Sequence, residues 1–318
     1  MKNTNNKELV IFDTNAYRYL VADKSFEDID KFIAKIKSKE ERNNIETLIS
    51  PIVTKELLAH LADKNDPSFE KCLKANKALF LHSGTSESYR MIASPELLLA
   101  KAFFDKTIPS KELTNQALGQ ISFHLATNPS NHVFTKFQHN LNLNRQHVFE
   151  SEMNFALAML EFVRAADPSS TGWRIFEHNE TQRRKILEVI RSEKVSIDIA
   201  LGFLVVVYHL LQTSGQIEQM PFQELVDRAK KFIELFPEPI ALYKLVMENL
   251  VNSEFNLLEN SRSNFVWDIH LMFNIGNMSI NGSKVNFVTD DKAIIRTAIS
   301  NNAKYTIHTF DEYLDYIN

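Results

Sequence analysis

The hydrophobic positions at the start of the chain form a short continuous run, ELVIFD at residues 8–13, which ends in an acid. After this run, Tyr17, Leu20 and Val21 recur at helical spacing. A short apolar run is typical of a buried strand, and the spacing that follows is typical of an amphipathic helix. The pattern therefore predicts a strand that leads directly into a helix.

The same alternation continues near both ends of the chain. Residues 25–49 predict a helix that Ser25 caps, and SPIVTKELLAHLADK predicts an extended piece and a helix, with Thr54 as its cap and Glu56 in its first turn. Near the carboxyl end, SKVNFVTDDKAIIRTAI and NAKYTIHTFDEYLDYI each predict a strand followed by a helix. Strands that alternate with helices predict a parallel sheet, with ligands at the carboxyl ends of its strands.

The middle of the chain has a different pattern. Residues 61–256 show successive helical segments and almost no period-two alternation. Neither end of the chain has enough strands for a sheet, whereas the two ends together have the length of one compact α/β domain. We therefore expect residues 1–60 and 257–318 to fold together, and residues 61–256 to form an all-helical insertion. Such an insertion is a candidate surface for a protein partner or for a homo-oligomer.

Composition indicates the setting. With 44% hydrophobic and 24% charged residues, the chain has the balance of an ordinary globular protein. Cys72 is the only cysteine, so no disulfide and no cysteine-based zinc site can form within the chain. The amino terminus lacks the apolar stretch of a secretory signal, and the longest apolar run, Ile199 to Leu211, is too short to cross a bilayer. These features predict a cytoplasmic protein without a membrane segment.

The net charge of −4 argues against non-specific coating of nucleic acid, which depends on dense lysine and arginine. It does not exclude a nuclease, because a carboxylate cluster lowers the formal charge and a metal that it binds supplies a positive field. One predicted helix carries a basic stripe that could contact phosphates, although a solvated helix face is the commoner explanation: Lys31, Lys35, Lys39 and Arg42.

Four acids are candidates for the chemistry of the protein: Asp13, Glu56, Asp268 and Asp291. Three of them stand where a strand ends or a helix begins, and Asp268 lies in the helix-like segment SNFVWDIHLMF. Carboxylate oxygens suit Mg²⁺ or Mn²⁺, and such ions can activate a water and stabilise the oxyanions of a phosphodiester. Beside Asp291, Asp290 is the expected N-cap of the following helix and a second candidate ligand.

Three stretches, VIFDTNAYRYL, ISPIVTKELLAHL and VNFVTDDKAI, resemble the first-strand Asp, the early-helix Glu and the Thr-x-Asp motif of PIN-domain nucleases. NAKYTIHTFDEYLDYI resembles the closing strand and helix of that family, and Asp268 matches its fourth carboxylate by order and spacing. The resemblance covers the two ends, under 40% of the chain. The chain departs from the family in its doubled acid, in Trp267 before Asp268, and in its long helical insertion.

The resemblance implies a Rossmann-like parallel sheet sandwich, formed by the two chain ends, with a mostly α-helical inserted region. It also implies hydrolysis of phosphodiester bonds, usually in RNA, to 5′-phosphate and 3′-hydroxyl products. In that family pattern Asn15 and Thr289 support the ligands by hydrogen bonds. The residues that would bind Mg²⁺ or Mn²⁺ are Asp13, Glu56, Asp268 and Asp291.

Two alternatives stay open from the sequence. A phosphotransferase with a nucleophilic Asp also uses an acid after an apolar strand, but such enzymes generally need a second acid two residues on, where this chain has Asn15. A catalytically silent PIN-like scaffold would use its helical insertion to dock protein or RNA. As for biology, a self-acting toxin, an RNA-processing enzyme and an antiviral effector are all compatible with the sequence.

Overall fold

The structure is a computed structural model of a mixed α/β protein. It describes residues 7–84, 90–170, 172–173, 175–176, 179–253, 256–258, 264–275, 279–280, 283–301 and 306–318. The chain divides into two compact units. Unit 1 comprises Met1–Ser94, Pro109–Val148 and Asn274–Asn318, and unit 2 comprises Pro95–Ile108 and Phe149–Phe273.

Unit 1 contains the strands. Within the described residues these are β1 (Glu8–Phe12), β2 (Ile45–Thr47), β3 (Ser279–Ile280), β4 (Ser283–Val288) and β5 (Ile307–His308). Four of them form a parallel sheet in the order β2-β1-β4-β5, and β3 pairs antiparallel with the start of β4. Val10, Ile11 and Phe12 are all buried. Because successive side chains of a strand point to opposite faces, β1 is covered on both sides, as is usual in parallel sheets.

The helices of both units follow in chain order. They are α1 (Thr14–Leu20), α2 (Asp28–Arg42), α3 (Pro51–His60), α4 (Phe69–Ser83), α5 (Pro95–Phe104), α6 (Pro109–Thr127), α7 (Asn131–Ala166), α8 (Glu180–Arg191), α9 (Glu193–Thr213), α10 (Phe222–Leu235), α11 (Pro237–Asn252), α12 (Phe265–Leu271), α13 (Lys292–Ser300) and α14 (Phe310–Tyr316), with a 3₁₀ turn at Met272–Asn274. Unit 1 includes α1 to α4, α6, α13, α14 and the part of α7 up to Val148.

The predicted strand-to-helix segments are confirmed as β1–α1, β4–α13 and β5–α14. Residues 302–305 of the last segment lie outside the described residues. The predicted cap of α3 is wrong, because α3 begins one turn earlier: the Ser50 hydroxyl accepts the Ile52 N–H, and Pro51 occupies the first helical position. Thr54 instead donates to the Ser50 carbonyl oxygen, and Glu56 lies in the second turn.

The units do not coincide with the predicted boundaries at residues 60 and 256. α4 packs on α1, α2, α3 and α6, so the sheet domain includes helices that the sequence assigned to the insertion. A buried polar pair joins α4 to α6: the Ser122 hydroxyl donates to Asn76 Oδ1 at 2.7 Å, and Asn76 Nδ2 donates to the Ser122 carbonyl oxygen at 3.1 Å. The helical pattern identified α4 and α6 as helices, but it did not show against which elements they pack.

Within its described residues, unit 2 contains helices joined by loops and no strand. An aromatic cluster fills its core, with Phe203, Phe232 and Phe273 in ring contact. Within the described part of the chain, α9 alone is long and apolar enough to cross a membrane by length and composition, and 33% of its most apolar window is buried. α9 packs on α10 and α5, while Val205 and Val206 are exposed. Core helices of globular proteins pass the same test, so α9 is weak evidence for a membrane span.

Candidate active site

Asp13 lies where β1 ends and α1 begins. It is the N-cap of α1, and its Oδ1 accepts the Ala16 N–H at 2.5 Å. The residue is only 3% exposed, although a capping acid usually remains in contact with solvent. Asp13 therefore holds its carboxyl group in the protein interior at the carboxyl end of a central strand.

Thr289 reaches the same point from β4. Phe12 pairs with Val288 in parallel register, so the next residue of each strand emerges at the same edge of the sheet. The Thr289 hydroxyl donates to Asp13 Oδ2 and accepts the N–H of Asp291 at 3.0 Å. Thr289 thereby links Asp13 to the loop that follows β4.

The two acids after Thr289, Asp290 and Asp291, have roles that differ from the prediction. Asp291, not Asp290, is the N-cap of α13, with Oδ1 accepting the N–H groups of Ala293 at 2.8 Å and Ile294 at 2.9 Å. Asp290 is exposed, and its Oδ1 accepts the Phe310 N–H at 3.2 Å at the start of α14. The expectation that Asp290 caps the helix is wrong because α13 begins at Lys292, one residue later than that expectation requires.

The surroundings of Asp13 disfavour the ionised form of its carboxyl group. Burial raises the pKa of Asp13 from 3.8 to about 7, against the lowering effect of the hydrogen bonds from Thr289 and Ala16. The negative charges of Asp291 and Asp290 raise this pKa further. Like charges and desolvation both disfavour the ionised form. The edge of the sheet thus carries three acids within interacting range, and a cation there would relieve their repulsion.

Glu56 lies beside this group on α3. The hydroxyl of Thr14, the residue after Asp13, donates to Glu56 Oε2 at 2.5 Å. α1 and α3 pack together within unit 1, and Glu56 is half-buried. The structure therefore connects Glu56 to the Asp13 segment through one hydroxyl group.

The remaining predicted residues are placed differently. Asn15 is exposed on α1, and Asp268 lies on α12 in unit 2. Asn43, which follows the last residue of α2, donates to the carbonyl oxygen of Ile317, and the Asn44 carbonyl oxygen accepts the Glu8 N–H at the start of β1. The carboxyl end of α2 therefore lies at the amino-terminal ends of the strands, whereas Asp13 lies at their carboxyl ends. Lys39 and Arg42, the last two residues of the basic stripe, therefore lie far from Asp13. Lys31 and Lys35 are exposed and lie earlier in the helix.

Sequence reasoning missed a second polar centre in unit 1. His82 Nε2 lies 2.8 Å from Glu40 Oε1, and both residues are 2% exposed. The Tyr313 hydroxyl donates to Glu40 at 2.6 Å, and the Thr47 hydroxyl donates at 3.0 Å. Burial acts to raise the pKa of Glu40, but His82 and these hydroxyl groups outweigh it, so the pKa is lowered. Glu40 follows Ile36 by four residues on the apolar face of α2, and an acid at such a position signals a buried partner.

A pocket of about 270 Å³ opens beside this second centre and is lined by Lys37, Glu40, Thr47 and His82 among others. Lys37 in this lining bonds within the protein: its ammonium group donates to the carbonyl oxygens of Leu81 and Gly84 at 3.0 and 3.2 Å. The Glu40–His82 centre therefore has its polar groups satisfied, and we interpret it as a structural element rather than a reactive one.

The donor set at Asp13 fits a hard divalent cation. Of the described residues, no three His, Cys, Asp or Glu side chains already form a metal-binding group. Mg²⁺ keeps several waters and is usually held by one or two carboxylates, so such a group is not required for it. Asp291 uses Oδ1 for capping, and within the described part of the chain its Oδ2 accepts no hydrogen bond. Asp291 Oδ2 is thus available to a cation, whereas both oxygens of Asp13 already accept hydrogen bonds, from the Ala16 N–H and the Thr289 hydroxyl, and a cation would have to share them.

No family model, no curated protein and no solved structure matches the chain. The PIN-domain resemblance consequently stays a prediction.

Proposed function

We propose that the protein is an Mg²⁺- or Mn²⁺-dependent endonuclease with a PIN-like domain, which hydrolyses phosphodiester bonds in RNA in the cytoplasm. The observation that carries this proposal is the burial of Asp13 beside two further acids at the ends of adjacent parallel strands. Capping alone does not explain that burial, because an exposed Ser or Asn caps a helix equally well. A cation site at the carboxyl ends of parallel strands does explain it.

In the proposed reaction Asp13 and Asp291 would hold the metal ion, with Asp290 and Glu56 as further acids of the site. The ion, when bound, would activate a water and stabilise the oxyanions of the phosphodiester. Thr289 fixes the Asp13 carboxylate and the Asp291 backbone with one hydroxyl group, and therefore orients the ligands. Asp13 must lose its proton to act as a ligand, so we expect activity to fall as the pH drops below 7. Asp268, in unit 2, is not needed for this proposal.

The test is a cleavage assay with Mn²⁺ on single-stranded RNA and on DNA of the same sequence, with analysis of the product ends. Asp13→Asn and Asp291→Asn keep a capping side chain and remove one charge, so the fold should persist. We expect each to lower RNA cleavage at least about a hundredfold, and wild type to leave 5′-phosphate ends. Asp198→Asn, at an exposed position on α9, is the matched control and should cleave normally.

Equal cleavage by wild type and Asp13→Asn would contradict the proposal. If the wild type cleaves neither RNA nor DNA, the silent scaffold is favoured, in which the helical unit docks a partner.

A further inference from the structure

Arg18 lies on the face of α1 that is turned toward Glu56. It follows Thr14 by four residues, and residues four apart share one face of a helix. Thr14 donates to Glu56, which identifies this face. Across from it, on α4, the Sγ atom of Cys72 lies 3.3 Å from Nη2 of Arg18. The guanidinium is therefore placed about one helical turn from the Thr14–Glu56 contact.

The hydrogen bonding of Arg18 is incomplete. Its Nε atom is buried, and the described residues provide no acceptor for it. The one acceptor that the guanidinium has there is the thiol of Cys72, and a thiol is a weak acceptor. Buried polar groups are nearly always hydrogen-bonded, and a buried charge is usually paired. Arg18 thus has a half-buried positive charge without a matching anion in the described part of the chain.

Acidic residues are nearby but do not pair with Arg18. Burial raises the pKa of the Cys72 thiol, Arg18 lowers it, and the charges of Asp66 and Glu56 raise it, so all three charges act on the same sulfur atom. None of the ion pairs between described residues includes Arg18. Although Nε itself is enclosed, the terminal nitrogens of this half-buried guanidinium are not among the enclosed atoms, and they suit an oxyanion such as a phosphate.

We infer that Arg18 binds a phosphate group of the nucleic acid strand, adjacent to the bond that is cut. This inference rests on the proposed nuclease function and adds a substrate contact to it. The acids around Asp13 repel a polyanion, and Arg18 supplies an attractive charge on the Glu56 side of the site. Arg18 belongs to no basic run in the sequence, so charge patterning does not identify it.

The experiment measures equilibrium binding of a labelled single-stranded RNA in Ca²⁺ buffer over a series of salt concentrations. We expect Arg18→Gln to weaken binding at least about tenfold, the loss typical of one charge-assisted hydrogen bond, and to lower the salt slope by about 0.7. Arg18→Lys should keep the slope, because it keeps the charge, and should lose part of the affinity with the guanidinium fork. Arg184→Gln, an exposed arginine paired with Glu180, should bind as wild type does.

Cys72→Ala distinguishes a structural role of Arg18 from phosphate binding, because it removes the thiol acceptor and leaves the charge of Arg18. We expect Cys72→Ala to bind RNA with wild-type affinity, and thermal unfolding reports any loss of α1–α4 packing in either variant. If Arg18→Gln binds RNA with the wild-type affinity and salt slope, the inference is overturned.

Cleavage by the same proteins keeps the two proposals apart. Wild-type cleavage together with unchanged binding by Arg18→Gln removes the role of Arg18 and leaves the nuclease proposal standing. Weakened binding by Arg18→Gln without any wild-type cleavage supports an anion-binding Arg18 and removes the nuclease.

Discussion

At the scale of single residues, the ionised carboxylate of Asp13 destabilises the folded protein. Its pKa of about 7 in the folded state lies above the ordinary value of 3.8, so the stabilisation from its protonation is present below pH 4 and is lost as the pH rises through 7. In metal-free buffer above pH 7, Asp13→Asn should therefore be more stable than wild type, by up to about 4 kcal/mol. Urea unfolding across this pH range measures the difference, which should shrink toward pH 4. A difference that is constant with pH would show that Asp13 has no raised pKa.

Thr289 acts through Asp13. Its hydroxyl group lowers the pKa of Asp13, although burial keeps the net value raised. Thr289→Val keeps the side-chain shape and removes this donor, so the pKa of Asp13 should rise further and cleavage should fall about 10- to 100-fold. In a pH–rate profile the acid limb should move to higher pH. The control is Thr297→Val on α13, which should leave the profile unchanged, and an unshifted profile in Thr289→Val would argue against this orienting role.

At the scale of elements, the Glu40–His82 centre joins α2 and α4 to the closing helix α14 through Tyr313. The lowered pKa of Glu40 means that its stabilising contribution is present above pH 4.5 and is lost as the pH falls through the folded-state value. Glu40→Gln should cost about 3 kcal/mol of unfolding free energy at pH 7, because it breaks a buried pair. Glu41→Gln, the exposed neighbour, is the control in chemical denaturation. Equal stability of the two variants would show that the centre contributes little.

The strands and helices at both ends of the chain could be predicted because the patterns that specify them are local. ELVIFD followed by helical spacing gives β1 and α1, and SKVNFV followed by TDD gives β4 and the start of α13. The sequence could not show which of the two acids in TDD caps α13, since that depends on a one-residue difference in where α13 begins. The contact of Asp13 with Thr289 depends on the pairing of β1 with β4, which are more than 270 residues apart in the chain.

At the scale of the whole molecule, the sequence predicted that the two ends share one sheet, and β1 and β4 do pair in parallel. It did not predict that α4 and α6 belong to the same unit, because a helical pattern shows which face is apolar but not what covers it. Asp268 matched by order and spacing and lies in unit 2, so its role as a fourth ligand stays a prediction. The chemistry we propose therefore depends on the acids of unit 1 alone.

The most direct test of a cation site at Asp13 is calorimetric titration of Mn²⁺ into wild type and Asp13→Asn, in buffers of different ionisation enthalpy at a pH below 7. We expect wild type to bind Mn²⁺ with release of a proton, since Asp13 must ionise to become a ligand. Asp13→Asn should bind much more weakly and release no proton, while Asp227→Asn on α10 should match wild type. Identical binding by wild type and Asp13→Asn, or no binding by wild type, would contradict the account.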